Sequence, residues 1–228
     1  AEYVVVEESQ AVRVPSAMPL DRAALLACAV ITGFGAAVNR MRVRPMSSVV
    51  VIGCGGIGLN VLQGAAFSGA DPIIAIDVVD RKLEASTVFG ATHVVNAAQC
   101  DAADAVKRLT GGTGADYVFV TLGSAKAIQE GFSMTAPRGS AVIIGLPPVK
   151  ESITLPPLEF VRDERTLTGC FMGSVNLGID IPRLASLYLG GRLKLDELIT
   201  ARYPLDRIND AIASLDSGEA LRNIIVFE

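Results

Sequence analysis

Tryptophan is absent, histidine occurs once, at His93, and the four cysteines, Cys28, Cys54, Cys100 and Cys170, lie far apart with no C-x-x-C pair. A zinc site built from this chain alone is therefore excluded by ligand count, and so few scattered thiols do not make a disulfide framework. Twenty basic residues stand against twenty-four acidic ones, and no Lys/Arg run is long enough to track a phosphate backbone. Nucleic acid is not expected as a partner. No apolar run reads as long enough to cross a bilayer, and Ala1-Glu2-Tyr3 shows neither a charged n-region nor a cleavage site. The expectation is a cytoplasmic protein with no membrane partner.

What the chain has is aliphatic bulk. Its 228 residues are 50% hydrophobic, enough for one large domain or one and a half, and 22 glycines accompany them. That composition suits a parallel sheet covered by helices on both faces. From Ser48 onward short aliphatic runs alternate with helical spacing, predicting strands at Val49 to Ile52, Pro72 to Asp77, His93 to Asn96, Asp116 to Val120, Ser140 to Ile144 and Thr166 to Cys170. Helices are predicted at Gly56 to Ser68, Arg81 to Phe89, Ala102 to Leu109 and Ala125 to Met134. Two βαβαβ halves result, an α/β class with a doubly wound six-stranded parallel Rossmann sheet. The last crossover, Leu146 to Glu164, carries Pro147-Pro148 and Pro156-Pro157 and reads as too proline-rich for a regular helix.

Ahead of this unit, Tyr3 to Glu7 reads as a strand and Leu20 to Arg44 as two short helices broken at Thr32-Gly33-Phe34-Gly35. Behind it come a helix near Ile181 to Leu189, a strand near Ile199, a helix from Asp206 to Leu215 closed by Ser217-Gly218, and a strand Asn223 to Phe227. A lone leading strand leaves its backbone unpaired, so the chain is expected to begin partway through a larger protein.

The chemistry concentrates at Gly53-Cys54-Gly55-Gly56-Ile57-Gly58, which follows a strand and opens a helix. There Gly53 permits a tight turn, Gly55 lets the backbone approach a pyrophosphate, Gly58 lets helix and sheet pack closely, and the helix amino end supplies N-H groups and a positive dipole. The next strand ends at Asp77, about twenty residues on, where a carboxylate accepts from both hydroxyls of an adenosine ribose and repels a 2′-phosphate. The cofactor expected is NAD rather than NADP. On the residues alone Cys28 reads as a small buried apolar residue rather than a ligand, Cys54 as a small filler, and His93 as a strand-start residue that caps or packs.

These residues resemble the medium-chain dehydrogenase/reductases, and within them the zinc-dependent alcohol dehydrogenases. The resemblance rests on Cys28 through Ala37, the loop Gly53 to Gly58, Asp77, the Leu146-Pro147-Pro148 turn and the ending Ser217-Gly218-Glu219-Ala220-Leu221-Arg222, in order and spacing over essentially the whole chain. It implies that Cys28 is one of three protein ligands to a catalytic zinc and that Thr32 packs near the nicotinamide. Lys82 would lie beside Asp77 at the ribose, and Arg222 would pair with the pyrophosphate. Gly56, Ile57, Thr121 and Leu122 join the cofactor-contact set, while Ile144, Gly145, Leu146, Cys170, Phe171 and Met172 would line the nicotinamide and inner substrate pocket.

By the same resemblance, residues 1–29 are a remnant of a GroES-like catalytic domain, 30–172 the NAD-binding domain and 173–228 the return to the catalytic domain. The GroES-like barrel would supply the remaining zinc ligands. The implied reaction is hydride transfer between an alcohol/aldehyde pair and NAD(H), in a homodimer or homotetramer, with the isolated chain inactive. At Val120-Thr121-Leu122-Gly123 glutathione-dependent formaldehyde dehydrogenases usually show a glutamate, a departure that sets that subclass apart. Two other readings stand beside this one: a zinc-free quinone or enoyl reductase of the same superfamily, and a non-catalytic NAD-binding module.

Overall fold

The computed structural model describes residues 3–216, 218 and 220–227. Ser217 and Glu219 of the closing motif lie outside the described residues, as do Ala1 and Glu2. Two compact units are present, one of Thr32–Ser174 and the other of residues up to Ile31 together with those from Val175 onward.

The larger unit is built on six parallel strands, β1 (Val49–Ile52), β2 (Ile73–Asp77), β3 (His93–Asn96), β4 (Ala115–Val120), β5 (Thr135–Ile143) and β6 (Thr166–Gly169), in the order β3-β2-β1-β4-β5-β6. Every residue of β1 is buried, as a strand covered on both faces requires. Chain order reverses direction between β1 and β4, so a crevice opens beyond their carboxyl ends, the place where open α/β sheets bind ligands.

The first helix, α1, runs Leu20–Arg40 without the break expected at Thr32-Gly33-Phe34-Gly35. Glycine weakens a helix, but here it has a packing purpose. A Cβ on Gly33 would lie 2.3 Å from the carbonyl oxygen of Ile57 in the next helix, α2 (Gly56–Phe67), and one on Gly64 would lie 2.9 Å from that of Phe34. The absence of any apolar run of spanning length is also corrected: by length and composition the 21-residue α1 could cross a membrane, with mean hydropathy 1.5. In this fold 61% of its apolar window is buried, the behaviour of a core helix.

Helices α3 (Asp80–Val88), α4 (Ala102–Leu109) and α5 (Ala125–Ser133) lie within about one residue of expectation. The crossover before β6 does hold a short helix, α6 (Pro157–Arg162), because Pro157 sits in the first turn where its missing N-H costs no bond. Strand β5 starts five residues before the expected Ser140: Ala136-Pro137-Arg138-Gly139 has turn composition, and the chain absorbs it with a register shift and a positive φ at Arg138. Tyr3 to Glu7 is not a strand; Tyr3 and Val5 are almost fully exposed, and no sheet neighbour is present among the described residues to define one.

In the second unit α7 (Leu177–Leu189) and α8 (Ile208–Asp216) accompany a parallel pair, β7 (Ile199–Pro204) and β8 (Arg222–Val226). Asp21 accepts from Arg22 and Arg202, which hold its carboxyl down at about 2. Its contribution to folding is present above the ordinary carboxylate value of 3.8 and is lost as pH falls toward 2.

Candidate functional site

The site is built where β1 gives way to α2. Gly53 takes φ 95°, a left-handed turn open to glycine, and its N-H donates to Ile76 O at 2.8 Å. Gly58 is a packing glycine: a Cβ there would lie 1.8 Å from Gly53 O. Gly55 differs from both. It caps α2 in an extended conformation, φ −80°, and nothing lies within 4 Å of where its Cβ would be. The space over Gly55 is thus unfilled by protein, beside first-turn amides that no helix carbonyl can satisfy. Asp101 and Ser124 cap α4 and α5 with their side chains, whereas the amino end of α2 carries no side-chain cap.

Asp77, at the end of β2, ties this loop to its neighbour. Its Oδ2 accepts from Cys54 N-H at 2.7 Å, and its Oδ1 accepts from Val78 and Val79 N-H at 2.8 and 3.1 Å. The carboxylate is therefore held in one orientation with lone-pair capacity left toward solvent. Cys54 is fully buried; burial first and the Asp77 charge second push its thiol up to about 12, with Lys82 on α3 acting the other way. It packs as the filler expected and stays a thiol.

A cavity of about 620 Å³ is lined by Val78, Ala97, Asp101, Leu122, Ser124 and Lys126, beyond the carboxyl ends of β2, β3 and β4, and by Glu130, Ser133 and Met134 toward the far end of α5. Val78 and Leu122 present exposed apolar side chains to it. Of these residues only Leu122 was named from sequence. The signal for Val78, Ala97, Asp101, Ser124 and Lys126 is positional: each lies just beyond a parallel strand or at the start of the helix that follows.

Thr121 and Leu122 follow β4, and Ile144, Gly145 and Leu146 follow β5. The two loops are pressed together: a Cβ on Gly145 would meet Leu122 C at 2.3 Å, and one on Gly123 would meet Leu146 O at 2.2 Å. Ile144 is buried and Leu146 is 80% exposed. After β6, buried Cys170 donates its N-H to Ile143 O at 2.9 Å, and burial raises its thiol pKa. Met172, Gly173 and Ser174 all take positive φ, and the buried Thr32 hydroxyl meets Met172 Sδ at 3.7 Å. Phe171 is exposed. In the larger unit, then, the loop glycines, Ile57, Asp77, Lys82 and the segments after β4, β5 and β6 all gather around the carboxyl edge of the sheet.

Cys28 and Arg222 belong to the other unit. Cys28 is exposed rather than buried, which corrects its reading as an apolar filler. Arg222, on β8, is half-buried; burial pushes its guanidinium below the ordinary value, and the Cys28 sulfur is the opposing influence. Among the described residues no three His, Cys, Asp or Glu side chains gather closely enough to hold a metal. His93 stands exposed at the start of β3, its Nδ1 2.9 Å from Thr92 Oγ1.

Residues 56–188 match a family model described as zinc-binding dehydrogenase. The chain is 37% identical to an NDMA-dependent alcohol dehydrogenase of Amycolatopsis methanolica over 99% of its length, and 32% identical to an S-(hydroxymethyl)glutathione dehydrogenase of Paracoccus denitrificans over 100%. It spans 62% of each of those relatives. The crystal structure of benzyl alcohol dehydrogenase from Acinetobacter calcoaceticus superposes with a TM-score of 0.92 at 31% identity, covering 95% of this chain and 59% of that one.

Proposed function

The chain belongs to the zinc-binding dehydrogenase family, and from that premise we propose that it is the cofactor-binding part of a cytoplasmic NAD-dependent alcohol dehydrogenase. The observation that carries the cofactor reading is the open space over Gly55 at the uncapped amino end of α2, with Asp77 bonded to the same loop. In this reading the loop Gly53 to Gly58 holds the pyrophosphate, Asp77 and Lys82 the adenosine ribose, and the cavity between Val78 and Leu122 the adenine. Thr32, Ile144 to Leu146 and Cys170 to Met172 form the nicotinamide end, and Arg222 supplies a cation to the pyrophosphate. When bound, NAD supplies the hydride acceptor for an alcohol, or as NADH the donor for an aldehyde. The protein's share is to bind, orient and exclude water. In this reading residues 30–172 form the cofactor domain, and the flanks belong with the catalytic domain.

Zinc stands differently. Cys28 is available as one ligand, but the described residues offer no set of three, so this chain alone does not fit the metal and no step is assigned to it. The remaining ligands of the proposed enzyme come from residues beyond this chain.

Asp77 gives the cofactor preference its test. No arginine occupies positions 78–80 to welcome a 2′-phosphate. NADH is expected to bind at least about tenfold more tightly than NADPH, and Asp77→Gly to narrow that gap by removing both an acceptor and a repelling charge. Equal affinity of the wild-type chain for both cofactors, measured by fluorescence titration, contradicts the assignment.

The same reading includes self-association through β6, the edge of the sheet, where Leu158 and Val161 of α6 and the nearby Phe171 are exposed. An open edge flanked by apolar side chains favours pairing with a second copy about a two-fold axis. Sedimentation should show a dimer or tetramer; a monomer at high concentration counts against it.

A further inference from the structure

We propose that Thr121 is a positioning residue: its hydroxyl and the Asp77 carboxylate grip the main chain of Gly53 and Cys54 from opposite sides and fix the phosphate loop before any cofactor arrives. The inference rests on the reading of that loop as a dinucleotide site and adds to it a role for a side chain that need not touch the cofactor.

The two flanks follow from strand order. Because β1 lies between β2 and β4, the loop leaving it is bordered by the ends of both. From β2, Ile76 O accepts Gly53 N-H at 2.8 Å and Asp77 Oδ2 accepts Cys54 N-H at 2.7 Å. From β4, Thr121 N-H donates to Ile52 O at 3.0 Å, while Thr121 Oγ1 lies 2.9 Å from Gly53 O and 3.0 Å from Ile52 O. Ile52 O already has the Thr121 amide, so the hydroxyl proton is needed at Gly53 O. The fit is close: a Cβ on Gly53 would lie 2.6 Å from Thr121 Oγ1. Gly53 and Gly55 would otherwise leave this stretch with more backbone freedom than any other residue type allows. Holding it in its bound shape in advance lowers the ordering cost of binding. A valine here would keep the shape and leave Gly53 O without that donor.

The test uses the full 228-residue chain, with Thr121→Val and Thr121→Ser beside the wild type. Hydrogen exchange at Cys54 and Gly55 is followed without cofactor, and affinities for NADH and for adenosine are measured by titration. Thr121→Val should speed exchange at the loop and weaken NADH by on the order of tenfold, the loss of one partly buried hydrogen bond. Adenosine, which reaches only the cavity and Asp77, should bind as to the wild type, and Thr121→Ser should restore NADH affinity. Should Thr121→Val not fold, Thr121→Ala carries the same comparison. Unchanged exchange, an equal loss toward adenosine, or a serine variant as weak as the valine one overturns the clamp. If the wild type binds no NADH, the cofactor reading fails separately, and the exchange arm still decides the clamp.

Discussion

Alanine at Gly55 is expected to weaken NADH binding by about two orders of magnitude while leaving the melting temperature of the chain unchanged. Its φ of −80° suits any L residue and its Cβ would enter open space, so the fold has nothing to lose. Only a molecule occupying that space would meet the methyl group. Alanine at Gly58 is the contrasting case, because its Cβ would lie 1.8 Å from Gly53 O and either α2 or the loop must move. That variant should lose both cofactor affinity and stability, the latter by about 1–3 kcal/mol as for other overpacked sites. Thermal melts and NADH titrations of the two variants separate a binding glycine from a packing one. A Gly55→Ala chain with wild-type affinity would remove the main support for a pyrophosphate over this loop.

The second large effect concerns the chain as a catalyst. Purified alone, it is expected to bind NADH yet to retain no stoichiometric zinc and to oxidise no ethanol or benzyl alcohol. A catalytic zinc needs three protein ligands and an open position, and one exposed thiol at Cys28 does not hold the metal against water and chelators. Without an ion to lower the alcohol's pKa, hydride transfer lacks a developing alkoxide. Metal analysis after dialysis and a steady-state assay decide the point. One tightly held zinc per chain, or sustained turnover, contradicts the proposal that further zinc ligands are needed.

Much of this was legible in the sequence because the signals are local. Parallel strands buried on both faces read as Val/Ile runs, and β1 and β3 fall on their expected residues. The spacing of the loop glycines implies separate mechanical roles, and Gly53, Gly55 and Gly58 have different surroundings in the structure. What sequence missed depends on partners distant in the chain. Gly33 looked like a helix breaker because nothing local shows that α2 presses against it. The turn composition of Ala136 to Gly139 hid the start of β5, since a bulge is settled by the neighbouring strand. Cys28 sits among apolar neighbours in sequence, yet its face of α1 is exposed. Val78, Ala97 and Ser124 have no motif of their own; topology alone brings them to one cavity.

Whether this chain is built to hold a nicotinamide dinucleotide is decided by calorimetric titration of NADH into the pure 228-residue chain. One NADH per chain should bind saturably and be displaced by ADP-ribose, which carries the adenosine and pyrophosphate that Asp77 and the loop would hold. Absence of saturable binding by a chain that is folded by circular dichroism, or binding that ADP-ribose does not displace, would contradict that expectation.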